Sequence, residues 1–169
     1  MLNLMIVEDD QPLAVTLKYL VEDNPRYKVV GMATDALGAE IIANNHHVDL
    51  ALVDLKLANR STGFTVAVRL ADRGIPSLFV TGSPPGVETP ELALGHLMKP
   101  FTAEDVHRAL KSAEDVMRGR EALRRRNPHN LTLYHDLEDG EPEAGFVPSK
   151  RSFLTRFNHW LSARQVQQG

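Results

Sequence analysis

Residues 2–10 read LNLMIVEDD, an apolar run that ends in three consecutive carboxylic acids. A short run without alternating polar residues is typical of a strand that is buried on both faces of a sheet. The sequence after it repeats apolar residues at helical spacing, at Leu13, Leu17, Leu20 and Val21. The opening of the chain therefore predicts a β-strand and then an α-helix, with acidic residues at the carboxyl end of the strand.

The same alternation continues to residue 117. Four further apolar runs are predicted as strands, at residues 27–33, 48–53, 75–80 and 96–98. Three further helices are predicted from apolar residues at helical spacing: Leu37, Ile41 and Ile42; Phe64, Ala67, Val68 and Ala71; and Val106, Ala109, Leu110, Ala113, Val116 and Met117. Continuous apolar strands separated by helices indicate an α/β fold with a parallel sheet covered on both faces.

One helix of this pattern is in doubt. Residues 83–95 read SPPGVETPELALG, with three prolines, and a proline inside a helix costs about 3 kcal/mol. We predict an irregular, mobile loop here, with at most one helical turn at residues 91–94. The expected fold is a doubly wound (βα)5 sheet with a short or disordered fourth helix.

The composition excludes several classes of protein. The chain has 169 residues, of which 43% are hydrophobic, and no cysteine. Disulfides, thiolate zinc sites and thiol nucleophiles are therefore excluded. The sequence shows no apolar run long enough for a membrane span and no signal-peptide pattern, so we expect a cytoplasmic protein. A net charge of −3 does not indicate nucleic-acid binding.

Polar residues follow the predicted strands at one edge of the sheet, where ligands of open parallel sheets bind. They are Glu8, Asp9 and Asp10 after the first strand, Asp54 after the third, Thr81 after the fourth and Lys99 after the fifth. Asp10 is interpreted as a helix cap. The other carboxylates repel one another unless cations neutralise them, and Mg²⁺ together with Lys99 would do so. A carboxylate beside a metal, an ammonium and a hydroxyl is equipped to accept a phosphoryl group.

Four motifs in this order resemble a known family. They are IVEDD at residues 6–10, Asp54 within LALVDLKL, Thr81 within FVTG, and Lys99-Pro100-Phe101 within LMKPF. The chain resembles, over residues 2–117, the receiver domain of two-component response regulators, which have a flavodoxin-like fold.

The resemblance implies a role for each site residue. Asp54 would be the phosphorylated residue and also a metal ligand. Asp9 would bind Mg²⁺ directly, Glu8 through a metal-bound water, and Lys56 through its backbone carbonyl.

The resemblance also implies a switch. Thr81 would move toward the aspartyl phosphate, and Lys99 would pair with its oxygens. The Lys99–Pro100 peptide is expected to be cis. At the position of the usual aromatic switch residue the sequence has His96.

Two other departures accompany His96. The loop after Asp54 is one residue longer than usual and lacks the Met-Pro pair of many receivers, and the fourth helix is short or missing. Together with IPSLFVTGSPP at residues 75–85, these features resemble an atypical alpha-proteobacterial subgroup of often stand-alone receivers. The subgroup carries a Phe-Ala-Thr-Gly stretch, in which this chain has Val80 instead of alanine.

The remaining residues form a mildly basic tail. We divide the chain into a receiver domain at 1–117, a helix extension and flexible linker at 118–148, and an amphipathic helix at 149–169. Residues 118–130 are expected to continue the last helix, and 131–134 to form a brief extended segment. The apolar stripe of the final helix comprises Phe153, Leu154, Phe157, Trp160 and Leu161. Its candidate docking sites are the body of its own chain, a partner subunit, another protein and an anionic membrane surface, of which protein is favoured.

The sequence thus predicts a phosphoaccepting switch rather than an enzyme. The expected partners are a sensor histidine kinase or phosphotransfer protein and a downstream protein target. A homodimer through the last helix or the C-terminal extension stays open, and a DNA-binding output domain is not expected. The alternatives are a Mg²⁺-dependent phosphohydrolase with Asp54 as nucleophile, which would need a carboxylate where Lys56 stands, and a degenerate receiver that only binds partners.

Overall fold

A computed structural model of the protein describes residues 1–57, 61–119 and 127–134. Their elements, in chain order, are β1 (Leu2–Val7), α1 (Gln11–Glu22), β2 (Tyr27–Ala33), α2 (Ala36–Asn45), β3 (Leu50–Val53), α3 (Gly63–Ala71), β4 (Ser77–Thr81), β5 (Ala93–Met98), α4 (Ala103–Met117) and β6 (Leu131–Leu133). Within these ranges, every helix is too short or too polar to cross a membrane.

The strands form one sheet in the order β2-β1-β3-β4-β5-β6. The first five strands are parallel, and β6 pairs antiparallel with the outer edge of β5. The predicted flavodoxin-like, doubly wound sheet is therefore confirmed. The strand order reverses between β1 and β3, which places the crevice of the fold at their carboxyl ends.

Two apolar layers lie on opposite faces of the sheet. One layer packs α1 and α4 against β1, β3, β4 and β5, and the other packs α2 and α3 against the reverse face. All six residues predicted as the apolar face of the last helix are buried. The prediction succeeds for α4 because it is the most sharply amphipathic of the helices that the structure describes, with charged residues filling its other side.

The predicted faces of α2 and α3 are wrong in part. Leu37 and Ile41 are 65% and 53% exposed, and Val68 of α3 is 45% exposed. The buried residues of α2 are Ala36 and Ala39. These small side chains let α2 lie close to the strands, and Ile42, as predicted, packs half-buried against Gly31 of β2. Leu37 and Ile41 instead point outward.

The connection between β4 and β5 has no helix, as predicted: residues 82–92 contain only turns and bends. The mobility of this loop stays a prediction. The sequence allowed at most one helical turn at 91–94, and the structure has a single hydrogen-bonded turn just before β5, which begins at Ala93, three residues earlier than predicted. The backbone turn that starts the strand is closed by Leu92 and Ala93, whose amides both donate to the Thr89 carbonyl.

The expected continuation of the last helix is wrong where the structure describes it. Helix α4 ends at Met117, with Arg118 as its C-cap, and Gly119 has φ = 60°. Glycine adopts this left-handed conformation without the steric cost that a Cβ imposes, so it is a natural helix stop.

The sheet extends past the domain boundary predicted at residue 117. The brief extended segment expected at 131–134 is confirmed as β6, and Leu131 and Leu133 are buried in the core. The sequence predictions for residues 120–126, for the part of the flexible linker that follows residue 134 and precedes residue 149, and for the amphipathic helix at 149–169 concern positions outside the described residues.

A buried charge ties α4 to the start of β2. The Glu114 carboxylate is almost fully buried and accepts hydrogen bonds from the Arg26 guanidinium at 2.7 and 2.9 Å and from the Tyr27 hydroxyl at 3.3 Å. Arg118 adds a second ion pair at 2.8 Å. Burial and the nearby Glu114 charge raise the pKa of Tyr27 to about 12. Glu114 is therefore a structural carboxylate that lies outside the acidic edge of the sheet.

Replacing Glu114 tests this role. We expect Glu114→Gln to lower the free energy of unfolding by about 1–2 kcal/mol, because charge-assisted hydrogen bonds are lost while both half-exposed arginines remain solvated. The matched control is Glu104→Gln on the same helix, where an exposed pair with Arg108 is lost at a cost below about 0.5 kcal/mol. Urea unfolding measures both values, and equal losses would show that Glu114 has no special structural role.

Candidate functional site

The carboxyl ends of β1, β3 and β5 bring an ammonium group between two carboxylates. Lys99 Nζ donates to Glu8 Oε2 and to Asp54 Oδ2, each at 2.7 Å. Glu8 and Asp54 are 3% and 8% exposed. One partly buried cation therefore bridges residues that lie 45 and 91 positions away from it in the sequence.

The strand register produces this arrangement. Val7 pairs with Val53 in the parallel ladder, and the Asp54 amide donates to the Val7 carbonyl at 2.9 Å. Glu8 and Asp54, the next residues along each strand, are thereby placed at the same edge. The Lys99 amide donates to the Thr81 carbonyl at 2.8 Å, which fixes the end of β5 against β4.

Helix α3 lies close to the end of β3 because its first residue is a glycine. A Cβ on Gly63, the first residue of α3, would lie 2.3 Å from the Asp54 carbonyl oxygen and 2.7 Å from Leu55 Cα. Only glycine permits so close an approach of the helix to the strand end. The Lys56 amide donates to Asp54 Oδ1 at 3.0 Å, which orients the carboxylate.

Burial and charge act in opposite directions in this pocket. Burial raises the pKa of the Glu8 carboxyl, and this effect outweighs the Lys99 ammonium, which favours the charged form. Burial disfavours the charged form of Lys99, but its hydrogen bonds to Asp54 and Glu8 outweigh burial, so the pKa of Lys99 is raised. The pocket thus holds a persistent ammonium beside carboxylates that gain from a further cation.

Asp9 completes an acidic cluster. Glu8, Asp9 and Asp54 each offer a carboxylate oxygen within 4.8 Å of the others. Three hard oxygen donors at this spacing fit a cation such as Mg²⁺. Asp10, the next acid in the sequence, instead caps α1, because its side chain accepts from the Leu13 amide at 3.0 Å.

The structure places Thr81 at the end of β4, fully buried. Its hydroxyl donates to the Ser83 carbonyl at 3.1 Å and accepts from the Ser83 amide at 3.3 Å. Lys56 Nζ also reaches Ser83, whose hydroxyl lies 3.2 Å away. Ser83 therefore links the loops after β3 and β4, a role that its position in a proline-rich loop did not reveal.

His96 has a partner that the sequence did not indicate. Its Nδ1 lies 3.3 Å from the Tyr134 hydroxyl just after β6, and both side chains are buried. Burial lowers the pKa of His96, although the charge of Glu88 opposes this. Burial and Glu88 raise the pKa of Tyr134 to about 12. No local pattern pointed to Tyr134, because the contact exists only through the pairing of β6 with β5.

The fold and the site define a flavodoxin-like α/β protein with an acidic, lysine-containing pocket at the carboxyl edge of its sheet. The family model described as "Response regulator receiver domain" matches residues 4–111. The chain belongs to this family, as its motifs predicted. No relative among curated proteins is detected by sequence.

Solved receiver structures resemble the chain. The signal receiver domain of a modulated diguanylate cyclase from Desulfovibrio desulfuricans G20 is 30% identical, with 64% of this chain and 90% of that chain covered and a TM-score of 0.55. The response regulator PhyR from Brucella abortus is 29% identical over 62% of this chain and 44% of its own, with a TM-score of 0.53.

The solution structure of the PhyR response regulator REC domain from Erythrobacter litoralis has a TM-score of 0.60 at 23% identity, with 67% of this chain and 89% of that chain covered. At this identity the likeness supports the fold only. Membership of the atypical alpha-proteobacterial subgroup stays a prediction.

The cis Lys99–Pro100 peptide is confirmed. The structure also brings together Glu8, Asp9, Asp54 and Lys99 as the strand ends predicted, and it places Thr81 on the neighbouring strand. The functional roles of these residues, and of the Lys56 carbonyl, belong to the proposal below.

The lowered pKa of the buried His96 predicts that the protein loses stability in acid. Because its folded-state pKa is lowered, the unfolded chain takes up the proton first, so stability present above the ordinary pKa of 6.5 is lost as pH falls. We expect His96→Gln to lose less unfolding free energy than the wild type between pH 7 and pH 5, measured by urea unfolding. The exposed His46→Gln is the control and should follow the wild type. Parallel losses in wild type and His96→Gln would contradict the expectation.

Proposed function

We propose that the chain is a phosphoaccepting signalling switch in which Asp54 receives a phosphoryl group from a histidine kinase or phosphotransfer protein. The observation that carries this proposal is the buried Asp54 carboxylate, 2.7 Å from the Lys99 ammonium and inside a three-carboxylate cluster. Membership of the receiver family supports it. Asp54 thus has both the counter-charge and the acidic neighbours that phosphoryl transfer to a carboxylate needs.

Mg²⁺ is the proposed cofactor, since the donors present are hard oxygens. Asp9 and Asp54 would bind it directly, Glu8 through water, and Lys56 through its carbonyl. When bound, the ion supplies positive charge that neutralises the phosphoryl oxygens.

The protein's own residues account for the rest of the step. An Asp54 carboxylate oxygen forms a bond to phosphorus as the phosphorus–nitrogen bond of the donor's phosphohistidine breaks, and the electron pair of that bond goes to the imidazole nitrogen. The Lys99 ammonium, which already donates a hydrogen bond to Asp54, would also donate to the oxygens of the transferred group. The Lys56 amide, 3.0 Å from Asp54 Oδ1, holds the carboxylate in one orientation.

The phosphoryl group would then act through Thr81. To approach the new group, the Thr81 hydroxyl must leave the backbone of Ser83, to which it now donates and from which it accepts. Because Ser83 also holds Lys56, this movement would rearrange the loop at 82–92. His96 would contribute through its contact with Tyr134. The changed loop and the β4–β5 face would bind a downstream protein.

The alternatives have less support. A phosphohydrolase with Asp54 as nucleophile needs a carboxylic acid two residues later as general acid or base. Lys56 occupies this position, and its ammonium donates a hydrogen bond to the Ser83 hydroxyl. A receiver that serves only as a binding module would have no need to keep Glu8, Asp9, Asp54 and Lys99 in mutual reach. We therefore propose a switch that acts through protein contacts rather than an enzyme with its own substrate.

Substitution of Asp54 tests phosphorylation directly. With acetyl phosphate as donor and Mg²⁺ present, Asp54→Asn should abolish incorporation of the phosphoryl group, because an amide oxygen cannot form the acyl phosphate. The matched control is Asp10→Asn, which removes a nearby charge but keeps a side chain that can cap α1. Phos-tag gel electrophoresis measures the labelled fraction, and intact-mass spectrometry confirms the added phosphoryl group. Undiminished labelling of Asp54→Asn would move the acceptor elsewhere.

Removal of the lysine charge tests the proposed metal site. The Lys99 ammonium repels a cation bound to the same carboxylates, so we expect Lys99→Met to bind Mg²⁺ at least about tenfold more tightly. Titration calorimetry measures the dissociation constant. Lys111→Met, which removes a remote lysine paired with Asp115, should bind Mg²⁺ as the wild type does. Unchanged affinity in Lys99→Met would exclude a metal site that shares its carboxylates with Lys99.

A further inference from the structure

The residue before β6 bridges the backbone on both sides of Lys99. Asn130 Nδ2 donates to the Met98 carbonyl at 3.1 Å and to the Pro100 carbonyl at 3.3 Å. In addition, the Met98 amide donates to the Asn130 carbonyl at 2.8 Å. Asn130 thus makes three hydrogen bonds to the two neighbours of the site lysine.

The chemistry of this contact favours an asparagine. Both partners are carbonyl oxygens, which only accept, so the bridging group must donate twice. A side-chain amide has two protons on one nitrogen, whereas a carboxylate has none. The Asn130 Oδ1 atom is buried and has no hydrogen-bond partner among the described residues. The Asn130 side chain therefore makes its hydrogen bonds through the Nδ2 donor and not through the Oδ1 acceptor.

Asn130 is in turn anchored to the core. Leu131 follows it and pairs with Leu97 of β5, and the Leu131 amide donates to the Pro128 carbonyl at 2.9 Å. Asn127, three residues earlier, accepts from the Ser112 hydroxyl of α4 at 2.9 Å. The bridge to residues 98 and 100 thus starts from a segment that is held on two sides.

We propose that Asn130 is a positioning residue for Lys99, an inference that rests on the proposed phosphoryl transfer to Asp54. The Thr81 carbonyl holds the Lys99 amide from the β4 side, and Asn130 holds the adjoining carbonyls from the β6 side. Together they direct the lysine side chain toward Glu8 and Asp54. Asn130 reaches the site only through Lys99, and its position in the tail gave no sign of this in the sequence.

A displacement of Lys99 weakens its contact with the transferred group. Misplacement of a reacting or charge-stabilising group by about 1 Å costs up to about 100-fold in rate. The flexible stem of lysine absorbs part of such a shift, so the expected loss in the Asn130 variants is about tenfold. Mg²⁺ affinity should not fall, because the proposed metal ligands come from the β1 and β3 ends and a displaced Lys99 ammonium repels the bound cation no more strongly than before.

The experiment compares Asn130→Ala and Asn130→Asp with Asn127→Ala in the full chain. Asn130→Asp keeps the shape of the side chain without its donors but adds a negative charge near Asp105, so it is compared with Asn130→Ala, which adds no charge. Asn127→Ala loosens the same segment without touching residues 98 or 100. The rate of labelling by acetyl phosphate at saturating Mg²⁺ should fall about tenfold in both Asn130 variants and stay near wild type in Asn127→Ala. Mg²⁺ titration of each variant supplies the second readout.

Three results would overturn the inference: wild-type labelling rates in the Asn130 variants, an equal loss in Asn127→Ala, or a parallel loss of Mg²⁺ affinity that shows general disruption. If the wild type itself is not labelled, the proposed function fails. A second experiment, which does not depend on phosphorylation, then tests whether Asn130 positions Lys99. The acylation of Lys99 by an amine-specific reagent, followed by peptide mass spectrometry, should then be faster in both Asn130 variants than in Asn127→Ala. Equal acylation would refute the positioning role.

Discussion

The structure of the site depends on one ammonium group shared by two buried carboxylates. Without Lys99, Glu8 and Asp54 would be like charges at the same sheet edge in a poorly solvated pocket, with no counter-charge from the protein between them. With Lys99 between them, the acidic pocket persists before any metal or phosphoryl group arrives. In the proposed function, the same ammonium would meet the oxygens of an incoming phosphoryl group, so the interaction that stabilises the resting site would also prepare it for the transfer.

The rest of the fold holds these three groups in register. Parallel pairing of β1 with β3 places two carboxylates side by side, and the pairing of β4 with β5 brings the lysine beside them. On the far side, β6 closes the edge of β5, with His96 against Tyr134 and Asn130 against the ends of the Lys99 segment. The antiparallel strand β6 is thereby connected both to the segment that carries Lys99 and to His96, the residue at the position of the usual aromatic switch.

The sequence was informative wherever local pattern and topology coincide. Asp54 and Lys99 follow apolar strands, and parallel strands bring their carboxyl ends to one edge, so the site followed from the strand assignments. The face of α2 was misread because its alanines, rather than Leu37 and Ile41, approach the sheet. Tyr134 and Asn130 were missed because their partners lie 30 to 38 residues away across an antiparallel pairing that no local pattern records.

The central claim is that Lys99 is held as an ammonium by Glu8 and Asp54 together. The side-chain ¹⁵N signal of Lys99, followed by NMR through the alkaline range, measures this most directly. The account predicts a pKa above the ordinary value of 10.5, which falls when Asp54 is replaced by asparagine and the negative charge of that partner is lost. A Lys99 that titrates at or below 10.5 in the wild type, or one that is indifferent to Asp54, would contradict it.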